Sequence, residues 1–112
     1  MLKESENGLI IIEDRPVYPG NDTAFNEFLK TNIILDSTVN GKIWISFIIN
    51  CKGIACGFEI QNIEGNISND SEKKVISKLS EMKKWEPGKQ RNKPVDVPCK
   101  IIIEIRNGRV IL

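Results

Sequence analysis

The stretch MKKWEPGKQRNKPVDVPCKIIIEIR, residues 82–106, decides the fold, because a predicted helix ends in it and the longest predicted strand begins in it. Apolar residues at helical spacing lead into this stretch: Val75, Leu79, Met82 and Trp85. Pro87 cannot continue the helix, because proline has no N–H and its ring clashes one turn back. Gly88 accepts a positive φ angle, which suits the turn that follows. The sequence therefore predicts a helix that ends near Trp85.

Beyond that corner the apolar period changes from about 3.6 to 2, which predicts a strand that starts at Val95. A basic run at residues 89–93 is expected to cross solvent before the strand. One face of the strand is apolar and consists of Val97, Cys99, Ile101, Ile103 and Ile105. The other face carries Lys100, Glu104 and Arg106. Since proline cannot donate to a ladder, Pro98 predicts that the strand is a sheet edge or has one side unpaired around Pro98.

The N-terminal third predicts a flexible segment, a short strand and a helix. Residues 1–8 are polar and are predicted to be flexible, whereas residues 9–12 are apolar and predict a short strand. Asn21 or Asp22 is the expected N-cap of a helix that runs to about Asn32. The buried face of this helix is predicted to hold Phe25, Phe28 and Leu29.

A β-hairpin and a second helix follow. Residues 42–50 and 54–63 alternate in polarity and predict two antiparallel strands, with Gly53 at positive φ in the turn. Gly57 inside the second strand indicates a bulge or a close backbone approach. The second helix is expected to be capped by one of three residues: Ser68, Asp70 or Ser71.

The order of elements is strand, helix, strand, strand, helix, strand, with a two-residue turn at Asn107 and Gly108 after the last long strand. Residues 109–112 are expected either to fold back as a short strand or to pair with another chain. This order predicts an α+β two-layer sandwich, in which an antiparallel sheet of three to four strands carries both helices on one face. The 112 residues suffice for one domain, which we assign to residues 9–112.

Composition disfavours several classes of function. The net charge of +1 gives no reason to expect a nucleic-acid partner, and no stretch approaches the ~18 apolar residues of a transmembrane helix. The charge is uneven, since residues 73–93 hold eight basic side chains against two acids. This basic region predicts a solvated surface or one that steers an acidic partner.

Side chains suited to catalysis are scarce. Histidine is absent, and Glu13 and Asp14 are expected to point to opposite faces of a strand. Of the three cysteines, Cys51 falls at the hairpin turn, Cys56 in the returning strand, and Cys99 on the apolar face of the last strand as a small buried side chain. We therefore predict no catalytic residues, no metal site and no cofactor, and a protein that is not an enzyme.

Three segments resemble the C-terminal domain of TonB-type energy transducers, Bacteroidetes type. The first is the corner formed by Trp85, Pro87, Gly88 and Lys89, followed by residues 93–95. The second is IIIEDRPVYPGNDTAFNEFLKTNI at residues 10–33, and the third is the hairpin GKIWISFIINCKGIACGFEI at residues 41–60. The three occur in the family's order and cover most of the chain. The resemblance implies a three-stranded antiparallel sheet with both helices on one side.

The resemblance also implies a function and a location. In the family, the last strand receives a short extended "box" from the plug of an outer-membrane receptor, by strand addition, in energy-coupled transport. It therefore implies a periplasmic protein-binding domain. Members normally carry an N-terminal membrane helix and a Pro-rich linker, which this sequence does not contain.

The expected partner-binding residues lie on the last strand and the basic run before it. They are Val95, Asp96, Val97, Pro98, Cys99, Lys100, Ile101, Ile102 and Ile103, helped by Lys89, Arg91 and Lys93. The contact strip is expected to extend to Arg106. Two alternatives remain open on sequence alone: the edge contacts nothing, or it forms a homodimer and the chain is a structural or self-association module.

Overall fold

The structure, a computed structural model, describes residues 14–111 as an α+β fold. The elements in chain order are α1 (Asn21–Asn32), β1 (Gly41–Ile49), β2 (Ala55–Gly65), α2 (Asn69–Leu79), β3 (Gly88–Gln90), β4 (Lys93–Val95), β5 (Val97–Arg106) and β6 (Arg109–Ile111). Four strands form an antiparallel sheet in the order β2-β1-β5-β6, and β3 pairs with β4 in a small second sheet. The predicted fold class is confirmed. The predictions for residues 1–8 and 9–12 lie outside the described residues.

Both helices pack on one face of the four-stranded sheet. The core joins buried side chains of both layers, namely Leu29, Ile33, Val75 and Leu79 on the helix side and Ile43, Ile45, Ile103 and Ile105 on the sheet. These sheet residues are the odd-numbered positions of β1 and β5, because alternate side chains of a strand point to opposite faces. Each such aliphatic side chain contributes about 1.5–3 kcal/mol by leaving water.

The start of α1 differs from the sequence prediction. Gly20, at φ 87°, occupies the N-cap position without a side-chain hydrogen bond, where Asn21 or Asp22 was expected. The Asn21 N–H donates instead to the Tyr18 carbonyl at 2.7 Å. A backbone turn therefore satisfies the first amide of α1, in place of a side-chain cap on the amides that follow it. At α2 the N-cap is Ser68, one of the three expected candidates, and its side chain accepts from the Ser71 N–H.

The expectation that α2 reaches Trp85 is wrong. The helix ends at Leu79, and the next N–H groups close tighter turns, from Glu81 to Lys78 and from Met82 to Leu79. The Trp85 N–H donates to the Gly53 carbonyl at 2.8 Å, so the chain at Trp85 is held by the β1–β2 turn. Met82 still packs against the core. The side chains keep helical spacing in sequence, but contacts with the hairpin determine the backbone path.

The β1–β2 hairpin contains the bulge predicted at Gly57. Ser46 pairs with Glu59 and Ile48 pairs with Cys56, so two residues of β2 oppose one residue of β1. Gly57 has φ 65°, which glycine adopts without steric cost. A second irregularity between Trp44 and Ile45 adds an extra residue to β2. The strand therefore twists and bends along its length.

The basic run does not simply cross solvent as expected. Residues 88–95 form the β3–β4 hairpin, with Arg91 at φ 52° and Asn92 at φ 63° in the two turn positions. Two positive φ angles in a two-residue loop define a type I′ turn. Val95 therefore belongs to β4, and the last long strand begins at Val97 rather than at Val95.

Candidate functional site

Among residues 14–111, one edge of β5 is unpaired along most of its length. On one side β5 pairs with β1 from Val97 to Ile105. On the other side β6 pairs only with Glu104, Ile105 and Arg106. Within the described part of the chain, residues 97–103 have no second ladder partner. This arrangement agrees with one of the two predictions made from Pro98, namely that one side of the strand is unpaired around it.

The backbone groups that face the open side follow from the β5–β6 turn. Asn107 at φ 52° and Gly108 at φ 77° form a two-residue type I′ turn, so Arg106 and Arg109 exchange hydrogen bonds across it. Backbone groups alternate in direction along a strand, so even-numbered residues of β5 face the β6 side and odd-numbered residues face β1. Pro98 is even-numbered, and its missing N–H therefore removes no bond to β1.

The terminal strand β6 has neighbours on both sides. Besides β5, the segment after α1 pairs with it through Ile34 and Arg109, and the Leu35 N–H donates to the Gly108 carbonyl at 2.8 Å. Of the two possibilities for the tail, the structure shows the fold-back. The predicted contact strip is therefore too long at its end, because β6 closes residues 104–106.

A groove of about 860 Å³ includes the unpaired stretch of β5 in its lining. It is lined by Arg15, Pro16, Asp22, Phe25, Ser46, Phe47, Ile48, Gly57, Glu59, Trp85, Val97, Pro98, Cys99, Lys100 and Ile101. The lining includes five consecutive residues of β5, whose side chains alternate between the two faces. The lining also includes residues 46–48 of β1 and Gly57 and Glu59 of β2, so the groove extends across the sheet as well as beside β5. Its volume lies in the range of ligand sites in proteins.

The wall of the groove depends on Trp85, which is fixed by its neighbours in the W-x-P-G corner. Glu86 and Val17 exchange backbone hydrogen bonds of 2.8 and 3.0 Å. A Cβ atom on Gly53 would collide with the Trp85 carbonyl oxygen. A Cβ atom on Gly88 would lie 2.6 Å from Val97 Cγ2. The motif thus needs glycine at position 88, because the corner packs closely against Val97 at the start of β5. The contacts of the corner with β5, the β1–β2 turn and Val17 place the indole ring beside β5.

Three aromatic rings pack around the Trp85 side chain. The Trp85 ring centroid lies 5.2 Å from that of Tyr18, 5.3 Å from Phe25 and 6.4 Å from Phe47. The first two pairs meet edge to face, an arrangement favoured by the ring quadrupoles. Trp85 Nε1 is shielded from solvent and has no acceptor within residues 14–111. Phe25 was expected only to pack in the core, but it also lines the groove.

The chemistry of the groove suits binding better than nucleophilic attack. Cys99 is half-buried rather than fully buried as expected, and burial raises the pKa of its thiol above the ordinary value. A raised pKa disfavours the thiolate, which is the nucleophilic form. Among the described residues no group of histidine, cysteine and carboxylate side chains could hold a metal ion. Arg15, Asp22, Glu59 and Lys100 supply both signs of charge to the lining.

The structure brings some of the predicted site residues to the open edge and separates others from it. Pro98, Lys100 and Ile102 lie there with exposed side chains, and Cys99 and Ile101 lie half-buried between them. Val97 and Ile103 are buried and can offer no side chain to a partner.

The remaining predicted residues lie before β5. Asp96 accepts from the Cys51 N–H at 2.8 Å and so ties the start of β5 to the β1–β2 turn. Lys89, Arg91, Lys93 and Val95 belong to the separate β3–β4 hairpin. The sequence prediction missed the groove wall formed by Arg15, Phe25, Phe47 and Trp85. The signal for Trp85 was its place in the W-x-P-G corner, which was interpreted as the end of a helical stripe.

Comparison with known proteins gives no relative, since no protein-family model, curated protein or solved structure matches this chain. No helix within residues 14–111 has the length and apolar character needed to cross a bilayer.

Proposed function

We propose that this chain is a non-enzymatic protein-binding domain that takes up an extended peptide segment as an additional strand on β5. The observation that carries the proposal is the open edge at residues 98–102 beside a groove of about 860 Å³. An unpaired strand edge presents N–H and C=O groups to any extended chain, and strand addition is an established mode of peptide recognition.

The open edge offers a defined set of backbone groups. Lys100 and Ile102 each present an N–H and a C=O, whereas Pro98 presents only a C=O. Each hydrogen bond to an added strand contributes about 0.5–1.5 kcal/mol net. The side chains of the added strand alternate, so half of them enter the helix-facing part of the groove between α1 and β5.

The other outer strand of the sheet, β2, is a poorer acceptor. Its two irregularities against β1, one of them at Gly57, bend the strand and interrupt a straight ladder. Bulges, charged side chains and proline all protect an edge strand, and both edges carry side chains of this kind, Glu59 and Glu64 on β2 and Pro98 and Lys100 on β5, so the bulges are what distinguishes β2. The edge of β5 lacks a bulge against β1. This difference favours β5 as the docking edge.

The proposed partner comes from the resemblance to TonB C-terminal domains in the corner at residues 85–89, the entry segment and the β1–β2 hairpin. On that basis the added strand is the box-like segment of an outer-membrane receptor plug, the location is the periplasm and the process is energy-coupled transport. The resemblance and the open edge support the proposal independently, since the edge follows from pairing and the resemblance from residue identity.

Amide hydrogen exchange tests the proposal on the intact chain. Short synthetic peptides that carry receptor boxes are titrated against the protein. The Lys100 and Ile102 amides are expected to exchange quickly without peptide and slowly with it, because they face the open side. The Ile101 and Ile103 amides should be protected in both states, since they bond to β1. The proposal is wrong if no box peptide slows exchange at Lys100 and Ile102, or if protection appears along β2 instead.

The alternative of self-association uses the same edge and is less favoured by the side chains. A two-fold antiparallel pairing centred on the open edge places Lys100 opposite the Lys100 of the second copy, and like charges directly across a ladder are destabilising. The tail at β6 is closed by its neighbours. Sedimentation over a range of protein concentrations separates the two functions. A peptide-binding domain stays monomeric as the concentration rises, whereas a self-association module forms a dimer.

A further inference from the structure

We propose that the groove also selects the sequence of the added strand: an acidic residue opposite Lys100, with an apolar residue on each side of it. This inference rests on the proposed strand addition and concerns the partner of the same edge. It follows from the directions of the β5 side chains and from the neighbours of each one.

The two apolar positions follow from the helix-facing side of the groove. Residues of the added strand that lie beside Cys99 and Ile101 point to the same face as those side chains, because paired residues share a face. There they enter the space beside Phe25 and Trp85, and α1 borders this space through Asp22 and Phe25. A medium-sized aliphatic side chain buried there strengthens binding by about tenfold, even if its burial is incomplete.

The acidic position follows from the surroundings of Lys100. Lys100 is exposed on the opposite face, at the middle of the open edge. Its neighbour on β1 is Ser46, which is uncharged, and its same-face neighbours along β5 are Pro98 and Ile102. Lys100 forms no ion pair with any of residues 14–111.

A residue that pairs directly with Lys100 on an added strand has its Cβ about 4.5–5.5 Å from the lysine Cβ. Glu59 lies on the same face beyond Ser46 but forms no ion pair with Lys100, so a carboxylate on the added strand is the directly adjacent partner. Because the pair is exposed, it is expected to change the Kd by only about two- to fivefold. The apolar positions supply most of the affinity, and the acidic position sets the register.

The test uses a reference peptide in which a glutamate stands between two valines, with serine and threonine on both sides. Three altered peptides replace the glutamate by lysine, replace both valines by serine, or exchange the pattern so that one valine stands between two glutamates. The Kd of each is measured with the full chain by NMR titration, together with hydrogen exchange at the Lys100 and Ile102 amides. We expect about a hundredfold weaker binding when both valines are replaced, at about tenfold for each, and a smaller loss on replacement of the glutamate.

Variants of the protein provide the decisive comparison. Lys100→Glu should reverse the preference, so that the peptide with a central lysine binds more tightly than the peptide with a central glutamate. Lys73→Glu, an exposed charge change on α2 away from the groove, should leave the preference unchanged. A preference that does not reverse in Lys100→Glu overturns the acidic position. Equal affinity of the valine and serine peptides overturns the apolar positions.

The outcomes separate this inference from the proposed function. If all four peptides protect Lys100 and Ile102 equally, strand addition stands and the side-chain selection fails. If none protects them, strand addition itself fails. Protection of both amides in the peptide-free chain overturns the inference in a second way. Protection that does not depend on protein concentration assigns the edge to another segment of the same chain, and protection that rises with concentration assigns it to a second copy.

Discussion

Proline substitutions along β5 test the assignment of even-numbered residues to the open side, on which the proposed binding depends. In Ile101→Pro the lost N–H is one that bonds to Ile45, and the Ile45 carbonyl is left without a donor in the buried part of the sheet. In Lys100→Pro the lost N–H faces the open side, as at Pro98. The two substitutions are adjacent and impose the same restriction on φ, so that restriction cancels in the comparison.

The magnitude follows from the ladder. An unsatisfied buried acceptor costs about 1–3 kcal/mol, which Ile101→Pro incurs in addition to its lost side chain. Ile101→Ala isolates the side-chain loss, and Lys100→Ala does the same for the neighbouring position. We therefore expect the free energy of unfolding to fall by about 1–3 kcal/mol more from alanine to proline at Ile101 than from alanine to proline at Lys100.

Urea denaturation followed by circular dichroism measures all four variants under identical conditions. The wild-type chain and the two alanine variants serve as references for the urea dependence of unfolding. Equal alanine-to-proline costs at Ile101 and Lys100 would refute the assignment of backbone directions, and a larger cost at Lys100 would show that the assignment is reversed. Lys100→Pro should also weaken peptide binding, because it removes one of the two amides on the open edge.

Three further predictions concern the parts that build the groove. Gly53→Ala should lower the free energy of unfolding by about 1–2 kcal/mol more than Gly57→Ala does. Both glycines have a positive φ, but only a Cβ at position 53 would collide with a backbone oxygen. Urea denaturation measures the difference. Asn92→Val should cost about 1–2 kcal/mol in the same assay, whereas Asn92→Gly should cost little, because the turn needs φ near 63°; equal costs would contradict the turn. Burial raises the pKa of the Cys99 thiol, so iodoacetamide should modify exposed Cys51 and Cys56 first, and a bound peptide should slow Cys99 alone; mass spectrometry of the three sites checks this order.

The raised pKa of Cys99 also has a consequence for stability. A thiol whose pKa is higher in the folded chain than in the unfolded chain keeps its full contribution below the unfolded pKa and loses it as pH rises through the folded pKa. The free energy of unfolding should therefore fall at alkaline pH by a smaller amount in Cys99→Ala than in the wild-type chain. An identical fall in both would exclude Cys99 as the source.

The sequence alone determined the types of the two helices and the long strands and their antiparallel pairing, but not the β3–β4 hairpin. The period of 3.6 before the W-x-P-G corner and the period of 2 after it separate α2 from β5 correctly, because side-chain burial on one face imposes these periods wherever a chain folds onto one core. Pro98 likewise predicted an unpaired side, since a missing donor is a local property. Gly57 and the Asn107–Gly108 turn followed from local φ preferences in the same way.

The tertiary structure decided where elements end and which side of β5 is open. Trp85 has helical spacing in sequence, but the Gly53 carbonyl and Val17 hold its segment in an extended path, and no pattern in the chain encodes these distant bonds. The groove also arises from contacts among Arg15, Phe25 and Trp85 with β5, which are far apart in sequence. The extent of the open edge depends on how far β6 folds back along β5, and β6 pairs only with residues 104–106.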